Sequence, residues 1–146
     1  MSNEPQPNLE KVLSDFSTRE LGKIKVFIVE DDHFISELVV TKLIQNGCIP
    51  YSTTDGAEAI ALAKYYMPDA IILDLMLPGR TGEEILTEIK QTEDLKHIPV
   101  IVFTNKTEET EKKRMMSLGA SSFMVKAMTN LNDLVKELQN LTKSPK

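Results

Sequence analysis

The runs KIKVFIV (23–29), DAIILDL (69–75) and IPVIVFT (98–104) are apolar on neighbouring residues rather than on alternate ones. A strand of that kind has no face to offer water, so it must be covered on both sides. CIPYST (48–53) and SSFMVK (121–126) read as two further strands, and helical spacing fills the segments between. Helices are expected over HFISELVVTKLIQNG (33–47), DGAEAIALAKYYM (55–67), GEEILTEIKQ (82–91), EETEKKRMMSLG (108–119) and NLNDLVKELQNLTK (130–143). Gly47 and Gly119 close two of these helices, and Asp55 is a candidate cap for another. Five strand–helix pairs imply parallel strands with helices on both faces, a doubly wound α/β domain.

At 146 residues the chain has room for one domain with a full core, expected over 23–142 between tails at 1–22 and 143–146. The leading MSNEPQPNLEKVLSDFSTRELG opens on a Pro-Gln-Pro stretch unsuited to a packed element. Within it Leu9, Val12, Leu13 and Phe16 follow Asn8 at the spacing of a short amphipathic helix, too short to be stable alone. No space is expected for an output domain beyond the fifth helix. Seventeen basic against 22 acidic side chains, a net charge of −5, argue against a general grip on nucleic acid or anionic membrane. The single cysteine, Cys48, cannot form an internal disulfide and reads as a small apolar filler. With no leader or spanning apolar run, a cytoplasmic setting is expected.

Ligands of an open parallel sheet bind beyond the carboxyl ends of its strands. There the sequence places Glu30, Asp31 and Asp32 after the first strand, Asp74 at the third, Thr104 at the fourth and Lys126 at the fifth. Two carboxylates about 4 Å apart repel by roughly 4 kcal/mol at an effective dielectric near 20, so positive charge must sit among them. Lys126 supplies one such charge, and a divalent cation supplies two. An all-oxygen donor set suits Mg²⁺ better than Zn²⁺. A hard metal, a lysine and a hydroxyl would surround an incoming phosphoryl group, with Asp74 placed as the nucleophile that keeps it as an acyl phosphate.

Four stretches, VEDD (29–32), LDLMLPGRTG (73–82), VFTN (102–105) and FMVK (123–126), each fall at the end of the appropriate strand. In that order they resemble the receiver domain of two-component response regulators over roughly residues 23–142. The resemblance implies a flavodoxin-like sheet of order 2-1-3-4-5. It also implies that Asp74 is the phosphoacceptor, Asp31 a direct Mg²⁺ ligand, Glu30 its acidic neighbour and the Met76 carbonyl a backbone ligand. Thr104 matches the switch hydroxyl, Phe123 the aromatic that turns with it, and Lys126 the lysine that pairs with the phosphate. Met76 and Lys106 match positions that tune attack by water. The expected protein is a stand-alone regulator that exchanges phosphoryl with a histidine kinase or phosphotransfer protein and is not otherwise an enzyme. Its output is expected to be a protein bound through the face of the fourth helix, fifth strand and fifth helix, as a monomer or as a phosphorylation-dependent dimer.

Two departures stand out. Ala127 follows Lys126 where receivers usually carry a cis proline, and a cis bond to a non-proline residue costs about 2.5–4 kcal/mol, so a trans peptide is expected. Thr81 occupies a position that is often acidic. Two other readings remain open. A phosphorylation-independent adaptor would keep the fold as a docking surface. A haloacid-dehalogenase-like phosphatase would want a second acid where Met76 stands. Asp32 reads as an N-cap, His33 and His97 as solvated residues, and Lys112, Lys113 and Arg114 as a solvated helix face. Of Met115, Met116, Met124 and Met128, half are expected to fill core and half to face a partner.

Overall fold

The computed structural model describes residues 23–143. The expected tail at 1–22, with its Leu9–Phe16 spacing, and all but the first residue of the expected tail at 143–146 lie outside them. Strands β1 (Lys25–Val29), β2 (Ile49–Thr53), β3 (Ala70–Leu73), β4 (Val100–Thr104) and β5 (Ser122–Val125) pair in parallel in the order β2-β1-β3-β4-β5. The register runs Val29 with Thr53 and Leu73, Leu73 with Val102, and Val102 with Phe123, which brings the carboxyl ends to one edge. Helices α1 (His33–Gln45), α2 (Ala59–Tyr66), α3 (Gly82–Gln91), α4 (Glu109–Ser117) and α5 (Leu131–Thr142) alternate with the strands.

The neighbouring-residue apolar pattern is explained by two cores. Phe27, Val29, Ile71, Leu73, Val100 and Val102 point to the face packed by Ala63 of α2, Leu86 of α3 and Met115 of α4. Their neighbours Val26, Ile28, Ala70, Ile72, Ile101 and Phe103 point to the other face, packed by Leu43 of α1 and Leu138 of α5. At about 1.5–3 kcal/mol for each fully buried large aliphatic side chain, these two layers supply most of the driving force for folding.

Helix starts follow local chemistry. The Asp32 carboxylate accepts the N–H groups of Phe34 and Ile35, and the Asn130 side chain accepts that of Asp133. Thr81 and Glu84 form a reciprocal capping box at the start of α3. The expected helix over 55–67 is corrected at both ends. Asp55 caps a 3₁₀ turn, Gly56–Glu58, before α2 begins, and Met67 terminates α2 in the left-handed region at φ 49°. The third strand stops at Leu73, one residue short of Asp74, and Lys126 opens a 3₁₀ turn, Lys126–Met128, rather than ending β5. The Lys126–Ala127 peptide is trans, as is every other peptide among the described residues.

Candidate functional site

The edge at the carboxyl ends of β1 and β3 is fixed by backbone bonds that run one residue past the strands. Glu30 N–H donates to the Thr53 carbonyl at 3.1 Å, and Asp74 N–H to the Val29 carbonyl at 3.0 Å. Both side chains are thereby held at the mouth of the sheet while nearly enclosed, Glu30 being 3% and Asp74 5% exposed. Asp31 beside them is exposed, so the site opens on that side. One carboxylate oxygen from each of Glu30, Asp31 and Asp74 lies within 4.8 Å of the others.

Lys126, the residue after β5, reaches across to join them. Its Nζ lies 2.5 Å from Glu30 Oε1 and donates to Asp74 Oδ2 at 2.9 Å, with the Phe103 ring 5.9 Å away. The remaining oxygens are also engaged. Glu30 Oε2 accepts the Asp32 N–H at 3.1 Å, and Asp74 Oδ1 accepts the Met76 N–H at 3.2 Å. Burial pushes the Glu30 carboxyl above its ordinary value, opposed by the Lys126 and Asp32 hydrogen bonds and reinforced by the charge of Asp74. Burial works against the Lys126 ammonium, yet the hydrogen bonds to Glu30 and Asp74 and their charges outweigh it, leaving the amine above the usual lysine value.

The expected residues thus divide. Glu30, Asp31, Asp74 and Lys126 converge. Thr104 is fully buried at the end of β4, where its hydroxyl accepts the Lys106 N–H at 3.3 Å. Phe123 is half-buried on β5 against the α2–α3–α4 core, opposite Val102. The Met76 side chain is exposed. Asp32 serves as the helix cap expected of it, and His33 and His97 are both exposed. Met115 is buried and Met124 packs on the second core, whereas Met116 and Met128 are exposed, at 40% and 78%.

Three features escaped the sequence reading. Lys126, expected as a positive charge among the carboxylates, is bonded specifically to Glu30 and Asp74 and not to Asp31. Gly82 packs so closely that a methyl group there would lie 2.3 Å from the Asp74 carbonyl oxygen. Arg114, expected on a solvated face, reaches Glu83 from 31 residues away. Each depends on chain segments that only the fold brings together.

A site with three clustered carboxylates and one ammonium carries a formal charge of −2, and its donors are all oxygen. That chemistry fits a hard divalent cation. No helix among the described residues is long and apolar enough to cross a membrane.

The chain matches the response regulator receiver domain family over residues 26–139. Among solved structures it is similar to the chemotaxis protein CheY4 of Vibrio cholerae, at 30% identity and a TM-score of 0.75, with 82% of this chain and 98% of that one covered. It is similar to the Mn²⁺-bound form of the response regulator Rcp1, at 34% identity and TM-score 0.68, covering 81% of this chain and 91% of the other. The fold is shared with the receiver domain of the sensor histidine kinase PA1611 of Pseudomonas aeruginosa PAO1, crystallised with a magnesium ion in its active-site cleft. That match has 23% identity and TM-score 0.76, covering 84% and 99% of the two chains. Receiver domains are signalling modules that interact with histidine kinases and phosphotransfer proteins, and this chain, with the fold, the sheet order and the acidic cluster described above, belongs to the response regulator receiver family.

Proposed function

We propose that this chain works as a stand-alone phosphorylation switch that accepts a phosphoryl group on Asp74 from a histidine kinase or phosphotransfer protein. The observation that carries the reading is the convergence of Glu30, Asp31 and Asp74 on Lys126 at the β1/β3 edge. Glu30, Asp31, Asp74 and the Met76 carbonyl would hold Mg²⁺, a choice supported by the divalent ions in two of the similar structures. When bound, the ion offsets the negative charge of the donor and of the carboxylates around it.

The remaining work falls to side chains. An Asp74 carboxylate oxygen attacks phosphorus in line, the new O–P bond forming as the donor's P–N bond breaks and the donor imidazole is released. Lys126, now bonded to Asp74 Oδ2, has the charge and reach to follow the transferred oxygens. Thr104 is the hydroxyl that turns toward them, and Phe123 fills the space behind it. The output is a change in affinity for a protein partner at the α4–β5–α5 face, where the exposed Met116 and Met128 supply adaptable apolar contact. The cytosol is the compartment this reading requires.

Intact mass after incubation with acetyl phosphate and Mg²⁺ tests the proposal. The wild type is expected to gain one phosphoryl group and Asp74→Asn none. No gain in either, with Mg²⁺ still bound, would favour the phosphorylation-independent adaptor, for which Ala127 after Lys126 is the supporting feature.

A further inference from the structure

The first turn of α3 is seated on the acceptor strand. Gly82 N–H donates to the Leu75 carbonyl at 3.1 Å, and Gly82 packs directly on the backbone of Asp74. The next residue, Glu83, therefore has its backbone fixed relative to Asp74. Its Oε2 accepts two bonds from Arg114 of α4, from Nε at 3.0 Å and from Nη2 at 2.5 Å. The contact lowers the Glu83 carboxyl below its ordinary value and raises the Arg114 guanidinium, both chiefly through that hydrogen bonding.

A second tie leads from α4 to the switch hydroxyl. Glu111, in the first turn of α4, faces Lys106 Nζ at 3.9 Å, and the Lys106 N–H donates to Thr104 Oγ1 at 3.3 Å. Contacts thus run from Asp74 through Gly82, Glu83, Arg114, α4, Glu111 and Lys106 to Thr104. This path lies outside the acidic pocket and connects its two reacting sides. Apart from the pair, α4 is held by Met115, its one buried residue, and by packing on β5, and Glu108 caps it with no side-chain bond.

We propose that Glu83 and Arg114 are a positioning pair that holds α4 against α3 and thereby keeps Thr104 in its unphosphorylated placement, setting how readily Asp74 accepts a phosphoryl group. The proposal rests on the acceptor reading above. Releasing the pair frees α4 and the loop carrying Lys106, so the acceptance-ready arrangement becomes more populated. An exposed pair of this kind shifts such an equilibrium by about two- to fivefold.

The test uses the full chain as wild type, Glu83→Gln, Arg114→Gln, the double variant, and Lys113→Gln as a control with the same charge change as Arg114→Gln. Two quantities are followed. One is the initial rate of mass gain with acetyl phosphate and Mg²⁺, and the other is amide hydrogen exchange over residues 104–117 without donor. Both single variants should accept phosphoryl about two- to fivefold faster and exchange faster, although they change the net charge in opposite directions. The double variant should do no more than the larger single effect, and Lys113→Gln should match wild type. Additive effects, rates that follow net charge, or faster exchange with an unchanged rate would overturn the proposal. A wild type that takes up no phosphoryl group refutes the acceptor reading instead, and unchanged exchange in the single variants then refutes the α3–α4 tie as well.

Discussion

Gly82 has no room for a methyl group, because its neighbours are the backbone of Asp74 and Leu75 rather than side chains that could turn away. Gly82→Ala is expected to cost about 1–3 kcal/mol in urea unfolding, as an overpacked core position does. It should also weaken Mg²⁺ binding, because the cheapest relief moves the Asp74 backbone. Cys48 is enclosed in the connection just before β2, and burial raises its thiol above the ordinary value. The sign follows from linkage: the folded state holds the proton more tightly, so this group's contribution is complete below pH 9.0 and is lost as pH rises through the folded value. The alkaline fall in stability should therefore be shallower in Cys48→Ala than in wild type, measured by urea midpoints between neutral pH and the alkaline limb. In native buffer a thiol reagent should label Cys48 slowly, with the rate rising across the urea transition.

Among the helices, α4 buries the fewest residues. Seven of its nine residues are polar, and of its two methionines only Met115 is enclosed. Met115→Ala should cost about 2–5 kcal/mol by the loss of buried methylenes and the cavity left behind, whereas Met116→Ala should stay within about 0.5 kcal/mol. Chemical denaturation of the two variants checks this directly, and similar losses in both would show that α4 packs differently. The contrast with α3 is physical. That helix starts on a complete capping box and buries Gly82, Ile85, Leu86 and Ile89, so it is anchored along its whole length where α4 is anchored at one residue.

Across the described residues, Glu30, Asp31 and Asp74 are the one group of three carboxylates close enough together to hold a metal ion, and their repulsion is relieved only in part by Lys126. A divalent cation that binds the folded chain should raise its stability by about 1.4 kcal/mol at ten times its dissociation constant. Thermal midpoints with Mg²⁺ should rise accordingly in wild type, and much less in Asp31→Asn and Asp74→Asn. An equal rise in all three would place the ion elsewhere.

The sequence by itself determined the α/β alternation, the covering of both sheet faces, and the carboxyl edge of the sheet as the place where Glu30, Asp31, Asp74, Thr104 and Lys126 fall, to within two residues of a strand end. Those features are carried by periodicity and by residue type within a few positions, where local sterics and burial act. Only the tertiary structure decided that Lys126 is shared by Glu30 and Asp74, that Gly82 packs on the backbone of Asp74, and that Arg114, exposed on its solvated face, pairs with Glu83. The ion pairs join residues far apart in the chain, and the Gly82 contact depends on how α3 turns back onto the end of β3, so each forms only after sheet order and helix packing have set the separation.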